Sequence, residues 1–366
     1  MPDFLTLKPK TFGLDISNSS LKIIKLKRKR RGFTLASFGE QKIKPGVIED
    51  GEVRDEDALA ELIKAGMSKV KGERLDTKHV ICSLPEEKSF LQVIQMPKIK
   101  KKDLEKAVLY EAENHIPLPI DEVYLDSQFI PPIYNHLDHS DVLVVAFPKK
   151  VIDPYVSSLK KAGLEPKVLE LESTAVARAL VKKGITTYNI SLIDIGEAES
   201  SLIVFAGYSL RLTSALLTSS QKFTEAIAKE LKVSLEEAEK LKLKHGLKNK
   251  GAQGKKVLEA LTPVIDELVD EIKKRLNFYR THDFHEHLPP DHKGMKEIIL
   301  CGGGANLEKL TEFLSERLKI PVRLGNPWIN ILPEPQKEVS RLPHNESLRY
   351  TAALGLALRG AKENYD

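Results

Sequence analysis

FGLDISNSSLKIIKL, residues Phe12 to Leu26, sets the carboxylate of Asp15 and a short run of hydroxyl and amide residues between two apolar segments. Apolar runs flanking a cluster of turn formers predict strand, tight turn, strand. A carboxylate near the inner end of a strand is poorly solvated, and a buried charge needs a partner. Capping of the turn is the simpler reading of Asp15. The other is chemical, because an acceptor-only group can hold the water shell of a phosphate-bound Mg²⁺.

A second copy weighs on that choice. ISLIDIGEAESSLIVF, Ile190 to Phe205, repeats the pattern with Asp194 and Gly196 before a small polar turn. Each copy runs on into a further predicted strand, GFTLASFGEQKI from Gly32 and YSLRLTSAL from Tyr208, so both halves open with three consecutive strands. Half-chain repetition bears on architecture rather than on one turn.

The 366 residues suffice for two domains with sizeable cores, and 41% apolar with 30% charged residues excludes disorder. The net charge of +5, from 57 basic and 52 acidic residues, is too even to demand a polyanionic partner. Two distant cysteines, Cys82 and Cys301, make no disulfide framework and suit a reducing compartment. No apolar run is long enough for a membrane span, and MPDFLTLKPK has no apolar signal core, so the expected location is cytoplasmic.

From Lys44 to about Pro148 the pattern leaves the repeat. It predicts a helix around Asp57 to Val70, a strand in HVICSLP, a helix from near Asp103 with Leu104, Ala107, Val108 and Ala112 on one face, and strands in DEVYLDSQFI and DVLVVAFP. The whole reads as an inserted α/β subdomain. A helix over VIDPYVSSLKKAG, a strand PKVLELE and a helix STAVARALVKKG follow. In the second half a long helical stretch runs from Gln221 to about Arg280, with Ser234 and Glu237 as a capping box and Thr262-Pro263 as a helix start. Gly302, Gly303 and Gly304 then form a strand-to-helix turn where missing side chains allow close backbone approach, which favours a nucleotide over a bare turn. Small residues in the last helix, Ala352, Ala353, Gly355 and Ala357, predict close packing on another helix, within one half or across the two.

Several motifs fail. NKGAQGKKV has Asn249 and Lys256 where a phosphate-binding P-loop needs glycine and a hydroxyl, and the triple glycine has Leu307 where a dinucleotide fingerprint needs glycine. His282, His285, His287 and His292 crowd a Pro-Pro loop without cysteines, so a polar loop explains them better than a metal. KLKRKRRG, Lys25 to Gly32, reads as a solvated hairpin turn; it lacks the interleaved aromatics that stack on bases, and contact with acidic lipid stays open. No nucleophile elbow is present.

The two acid-bearing hairpins and the glycine-rich turn together resemble the phosphate-1, phosphate-2 and adenosine motifs of the actin-like ATPase superfamily. SLPEEKSFLQVIQMPKIKKKDLEKAVLYEAENHIPLPIDEVYLD, FTEAIAKELKVSLEEAEKLKLKHG and LGNPWINI are similar to segments of its PilM family, and the likeness spans nearly the whole chain. The resemblance implies an α/β actin-like ATPase fold of two RNase H-like halves with inserted subdomains. Its parts would be a first core of residues 1–43, 149–188 and 345–366, an inserted subdomain 44–148, a second core of 189–220 and 285–344, and a helical subdomain 221–284.

The resemblance also implies a site. Gly13, Asp15, Ser17, Asn18, Ser19 and Lys22 would wrap the β and γ phosphates of ATP, with Asp15 and Asp194 toward Mg²⁺ through water. Gly196 and Ser200 of the second hairpin, Glu239 and Lys242 at the ribose and base, and Gly302, Gly303 and Gly304 at the adenosine complete it. Glu170 and Asp194 take the catalytic places. Three departures stand out: Glu197 and Glu199 bring negative charge near a triphosphate, Ser219 and Ser220 replace an expected glycine pair, and Glu170 replaces an Asp. Nucleotide binding with weak or no hydrolysis follows.

As a PilM-like protein the chain would work at the inner face of the cytoplasmic membrane in a type IV pilus or related secretion platform. It would bind the N-terminal cytoplasmic tail of a PilN-like membrane protein, with ATP clamping the two halves as a switch. Pilus assembly ATPases, platform proteins and self-association are further partners, and nucleic acid is not one. Two other classes compete: a small-molecule kinase with Glu170 or Asp194 as base, and a scaffold that has lost nucleotide binding.

Overall fold

The first strand, β1 (Thr11–Ile16), is buried at every position, as a strand covered on both faces must be. The computed structural model describes residues 10–98, 104–133, 138–282, 288, 292, 294–332 and 341–362. After β1 come β2 (Ser20–Arg28), β3 (Phe33–Lys42), a small hairpin of β4 (Ile48–Glu49) and β5 (Glu52–Val53), α1 (Glu56–Ser68), β6 (Lys71–Gly72) and β7 (His79–Leu84). Next are β8 (Phe90–Pro97), α2 (Leu104–His115), β9 (Val123–Ile130), β10 (His139–Pro148), α3 (Lys149–Lys161), β11 (Glu165–Leu171) and α4 (Glu172–Leu180).

Six strands form one sheet in the order β11-β7-β1-β2-β3-β6, with β1 antiparallel to β2 and parallel to β7. Asp55 caps α1 by accepting the Ala58 N–H at 2.9 Å. α1 and α3 bury Leu59, Ile63, Tyr155 and Leu159 against Phe12, Leu14, Val80 and Cys82 of the sheet.

A separate three-stranded sheet, β8-β10-β9, packs Ile94, Met96, Val142 and Val144 on Val108, Ala112 and Ile116 of and after α2. The inserted layer is therefore smaller than the expected 44–148. α1 and β7 belong to the main sheet, because a parallel β1–β7 pair needs a crossover and the intervening segment with α1 is that crossover. β8 was not foreseen, and the helix start near Asp103 and the Leu104 side chain lie outside the described residues.

The second half runs β12 (Thr186–Ile195), β13 (Ser200–Gly207), β14 (Ser209–Leu216), α5 (Ser220–Leu231), α6 (Leu235–His245), α7 (Gly251–His282), β15 (Met295–Cys301), α8 (Leu310–Leu318) and β16 (Val322–Leu324). Its sheet has the order β14-β13-β12-β15-β16. Ser234 caps α6, accepting the Glu237 N–H at 3.2 Å. Thr262-Pro263, expected to open a helix, instead lies inside α7. The buried stripe Val257, Leu261, Ile265, Leu268 and Ile272 continues through it, and that burial outweighs a local proline cost of about 3 kcal/mol. Thr262 Oγ1 turns back to donate to the Leu258 carbonyl at 2.8 Å.

The chain then returns to the first half with α9 (His344–Ser347) and α10 (Thr351–Lys362). Small residues let α10 lie against β1 and α4: a Cβ on Gly355 would fall 1.9 Å from the Ala175 carbonyl oxygen, and one on Gly13 would fall 2.6 Å from that of Ala353. Trp328, Ile331, Leu332 and Leu342 pack with Ile24 and Leu26 of β2, so residues from Asn326 join the first half rather than the expected 285–344. Two compact units result: Met1–Phe129 with Asp141–Gly184 and Asn326–Asp366, and Ile130–Ser140 with Ile185–Gly325.

Candidate functional site

In the first unit, Asp15 pairs with Lys22 and Ile16 with Leu21, leaving Ser17–Ser20 as the turn. The turn closes on itself. Ser17 N–H donates to the Ser20 carbonyl at 2.9 Å, and Ser17 Oγ accepts the Ser20 N–H at 3.2 Å. The Ser17 N–H expected to meet a phosphate is used there. Asn18 Oδ1 accepts the Gly51 N–H at 3.1 Å, and the Ser19 carbonyl accepts the Ile43 N–H at 2.9 Å, which bolts the turn to the chain beyond β3.

Asp15 is 3% exposed, and the partners that its burial requires are present. Ser83 Oγ, at the end of β7, donates to Asp15 Oδ1 at 2.9 Å while accepting the Ile16 N–H at 2.9 Å. Lys22 Nζ stands 3.6 Å from Asp15 Oδ2. Burial, and then the Asp15 charge, push the neighbouring Cys82 thiol far above its ordinary value, leaving it neutral and inert.

The second unit repeats this register. Asp194 lies across from Ser201 and Ile195 from Ser200, again leaving four residues, Gly196–Glu199, for the turn. Cys301 pairs with Asp194 across β12–β15, and its thiol reaches Asp194 Oδ2 at 3.4 Å, as Ser83 reaches Asp15. Ser201, not the predicted Ser200, shares the strand face of Asp194. Ser200 is buried opposite Ile195, with no hydrogen-bond partner for its hydroxyl among the described residues.

Around the start of α5 the remaining predicted residues converge. Ser220 N–H donates to the Gly196 carbonyl at 3.0 Å and Gln221 N–H to that of Glu197 at 2.9 Å, so the hairpin turn itself satisfies the first helical donors. Ser219, at φ −123°, occupies an extended N-cap that needs no glycine. Lys242, 6% exposed, directs its ammonium to the Ser220 carbonyl at 3.1 Å, Ser220 Oγ at 3.0 Å, Thr224 Oγ1 at 2.8 Å and Glu239 Oε2 at 2.7 Å. Glu239 also accepts the Thr224 hydroxyl at 2.6 Å.

The glycines have a structural use. A Cβ on Gly302, at φ +82°, would stand 2.3 Å from Asp194 Oδ1; on Gly304, 2.4 Å from Ile195 Cγ2; on Gly196, 2.4 Å from the Glu199 carbonyl. These spaces and the one beside Gly13 are filled by the protein, while Gly303 is exposed. The turn leads first into a 3₁₀ segment, Gly303–Asn306, rather than directly into α8.

Glu170 is placed differently from its expected catalytic role. At 6% exposure it is gripped at both oxygens by Arg178 of α4, with Nη2 2.8 Å from Oε2, and Arg359 Nη1 of α10 adds a contact at 2.5 Å. A carboxylate saturated by two guanidinium groups ties helices to the sheet and offers no free base. The His285 and His287 of the histidine run lie outside the described residues; His282 stacks on Phe278 and His292 on Tyr188. Ser83, Cys301 and Ser201 were missed, although aligning HVICSLP with EIILCGG across the repeat marks the first two.

A family model described as type IV pilus assembly protein PilM matches residues 13–361. The chain belongs to the PilM family. A solved PilM-PilN type IV pilus biogenesis complex contains a chain 28% identical to it, with a TM-score of 0.79 over 98% of this chain and 100% of that one. The cell division protein FtsA of Streptococcus pneumoniae is 24% identical over 357 residues, covering 86% of this chain and 75% of FtsA. MreB 5 of Spiroplasma citri bound to AMPPNP superposes with a TM-score of 0.54 at 12% identity, over 96% of this chain and 95% of that one, a likeness of fold. The fold of this PilM-family member is thus the actin-like one. No helix among the described residues is long and apolar enough to cross a membrane.

Proposed function

We propose that this PilM-family chain works at the cytoplasmic face of the inner membrane in a type IV pilus assembly platform, where it binds the N-terminal cytoplasmic tail of a PilN-like membrane protein. The observation that carries this reading is the whole-length match to a chain of a PilM-PilN complex, together with the family match over residues 13–361. Titration of the purified chain with a labelled peptide of that tail tests it. Saturable binding is expected, and no binding at any accessible concentration overturns the docking.

ATP with Mg²⁺ is the second element of the proposal. Within the first unit the donors suit the group: the hairpin acid Asp15 suits the water shell of a metal and the ammonium of Lys22 beside it suits a phosphate, and the second unit carries the matching acid, Asp194, on its own hairpin. In the second unit Lys242 and Glu239 gather at the start of α5 near Gly304. Bound nucleotide supplies charge that favours one conformation of the chain over another, and hydrolysis is not required for that. The arginine ties of Glu170 take away one of the two bases, Glu170 and Asp194, that a kinase reading offers.

Thermal unfolding with and without Mg²⁺-ATP tests this element. At a ligand concentration a hundred times the dissociation constant the native state gains about 2.7 kcal/mol. A shift in the wild type that disappears in folded Asp15→Ala and Asp194→Ala variants supports the switch; no shift at millimolar ATP leaves a nucleotide-free scaffold.

A further inference from the structure

The β2–β3 hairpin ends in five consecutive basic residues, Lys27, Arg28, Lys29, Arg30 and Arg31, all exposed. Their number equals the net charge of +5. Without them, the 57 basic residues fall to the same number as the 52 acidic ones.

That turn is held firmly from behind. Lys29 N–H donates to the Gly32 carbonyl at 3.1 Å, and Gly32 takes φ +75° to close the loop. At its base Phe33 N–H donates to the Ile331 carbonyl at 2.9 Å, and Leu26, Phe33 and Leu35 pack with Trp328, Ile331 and Leu332. Lower on the strand, acids neutralise the lysines: Lys25 pairs with Asp76, and Lys27 with Glu73 at 3.0 Å. No ion pair is described for Arg28, Arg30 or Arg31 among the described residues.

We infer that this tip is a contact for the anionic phosphate surface of a lipid bilayer. Guanidinium groups bind phosphate oxygens in pairs, and a cluster of basic residues at an anionic leaflet gains about 1 kcal/mol per residue, or about fivefold in affinity. A nucleic acid would offer the same phosphates but also calls for stacking platforms, and the aromatic residue nearest the tip, Phe33, is packed into the cluster below it. The tip also has no apolar residue to insert, so it suits adsorption at headgroup level. Such a contact alone is weak and reversible, which makes it a second signal beside the docking to a membrane protein proposed above, and on that membrane-side reading it rests.

Co-sedimentation of the full chain with vesicles, in the absence of any partner peptide, tests it separately from that docking. Binding to phosphatidylcholine vesicles containing phosphatidylglycerol, but not to phosphatidylcholine alone, is expected, with loss at raised salt. Arg28→Gln/Arg30→Gln/Arg31→Gln should lower the affinity by about a hundredfold, three fivefold steps, at unchanged melting temperature. Equal binding to both vesicle types, binding unaffected by the triple variant, or binding to an RNA homopolymer without binding to anionic vesicles would each overturn the inference. Failure of the tail peptide to bind, with vesicle binding intact, would instead remove the docking and leave the lipid contact.

Discussion

Ser83 Oγ lies 2.9 Å from Asp15 Oδ1 and also 2.9 Å from the Ile16 amide nitrogen, so one hydroxyl orients the acid and satisfies the strand beside it. Ser83→Ala would remove both bonds in a buried setting and should cost about 1–3 kcal/mol, read from the urea midpoint. The second unit solves the same problem with a thiol, Cys301. Ser83→Cys should therefore recover part of the stability and of any Mg²⁺-ATP shift; a cysteine no better than alanine in both readouts would mean that the hydroxyl serves Ile16 alone.

Glu170→Gln leaves the half-buried Arg178 and Arg359 side by side without their carboxylate. A loss of about 3–5 kcal/mol is expected, the cost of breaking a buried ion pair by one partner. Because Glu170 is a tie and not a base, the folded variant should keep its melting shift with Mg²⁺-ATP. A normal melting temperature with a vanished nucleotide shift would return Glu170 to the site.

Gly355→Ala would drive a methyl group into the Ala175 backbone, 1.9 Å from its carbonyl oxygen. The helix cannot relieve this by a rotamer change, so at least about 1–3 kcal/mol should be lost. Gly163→Ala, where nothing lies within 4 Å but φ is +81°, is the control: any loss there comes from the backbone alone. Chemical denaturation of the pair separates the two costs.

Asp76 is held far below the usual carboxylate range, first by Lys10 and then by Lys25, whose own side chain is buried. A carboxyl depressed in the folded state adds stability that is complete above its unfolded value of about 4 and disappears as pH falls through the lower folded value. Asp76→Asn should thus destabilise the protein at neutral pH, and the gap to wild type should narrow steadily in melts below about pH 4. A gap that widens toward acid would show that Lys25 does not depend on Asp76.

Local chemistry was enough to read the two hairpins, because a buried acid beside a four-residue turn leaves a trace in one short segment, and its repetition leaves a second. The capped start of α6 at Ser234 was legible for the same reason. Relations between distant strands were not. Nothing in HVICSLP says that it lies between β1 and β11, and nothing near Glu170 announces Arg359, 189 residues further along the chain. Gly13, Gly196, Gly302 and Gly304 mark close approach as expected, and at each the place of a side chain is taken by the chain itself, a contact that the sequence does not name. Pro263 misled because a local rule met a long buried stripe and lost.

The last helix carries a consequence for how this protein comes into being. α10 fills the space beside Gly13 of β1 and against Ala175 of α4, yet it follows the entire second unit in the chain. During synthesis the second unit can close as soon as β16 has left the ribosome, whereas the first must hold an apolar groove open until its final helix arrives. The part of the protein that is made first is the part that is finished last, and its exposed groove is where a nascent chain of this family most needs a chaperone.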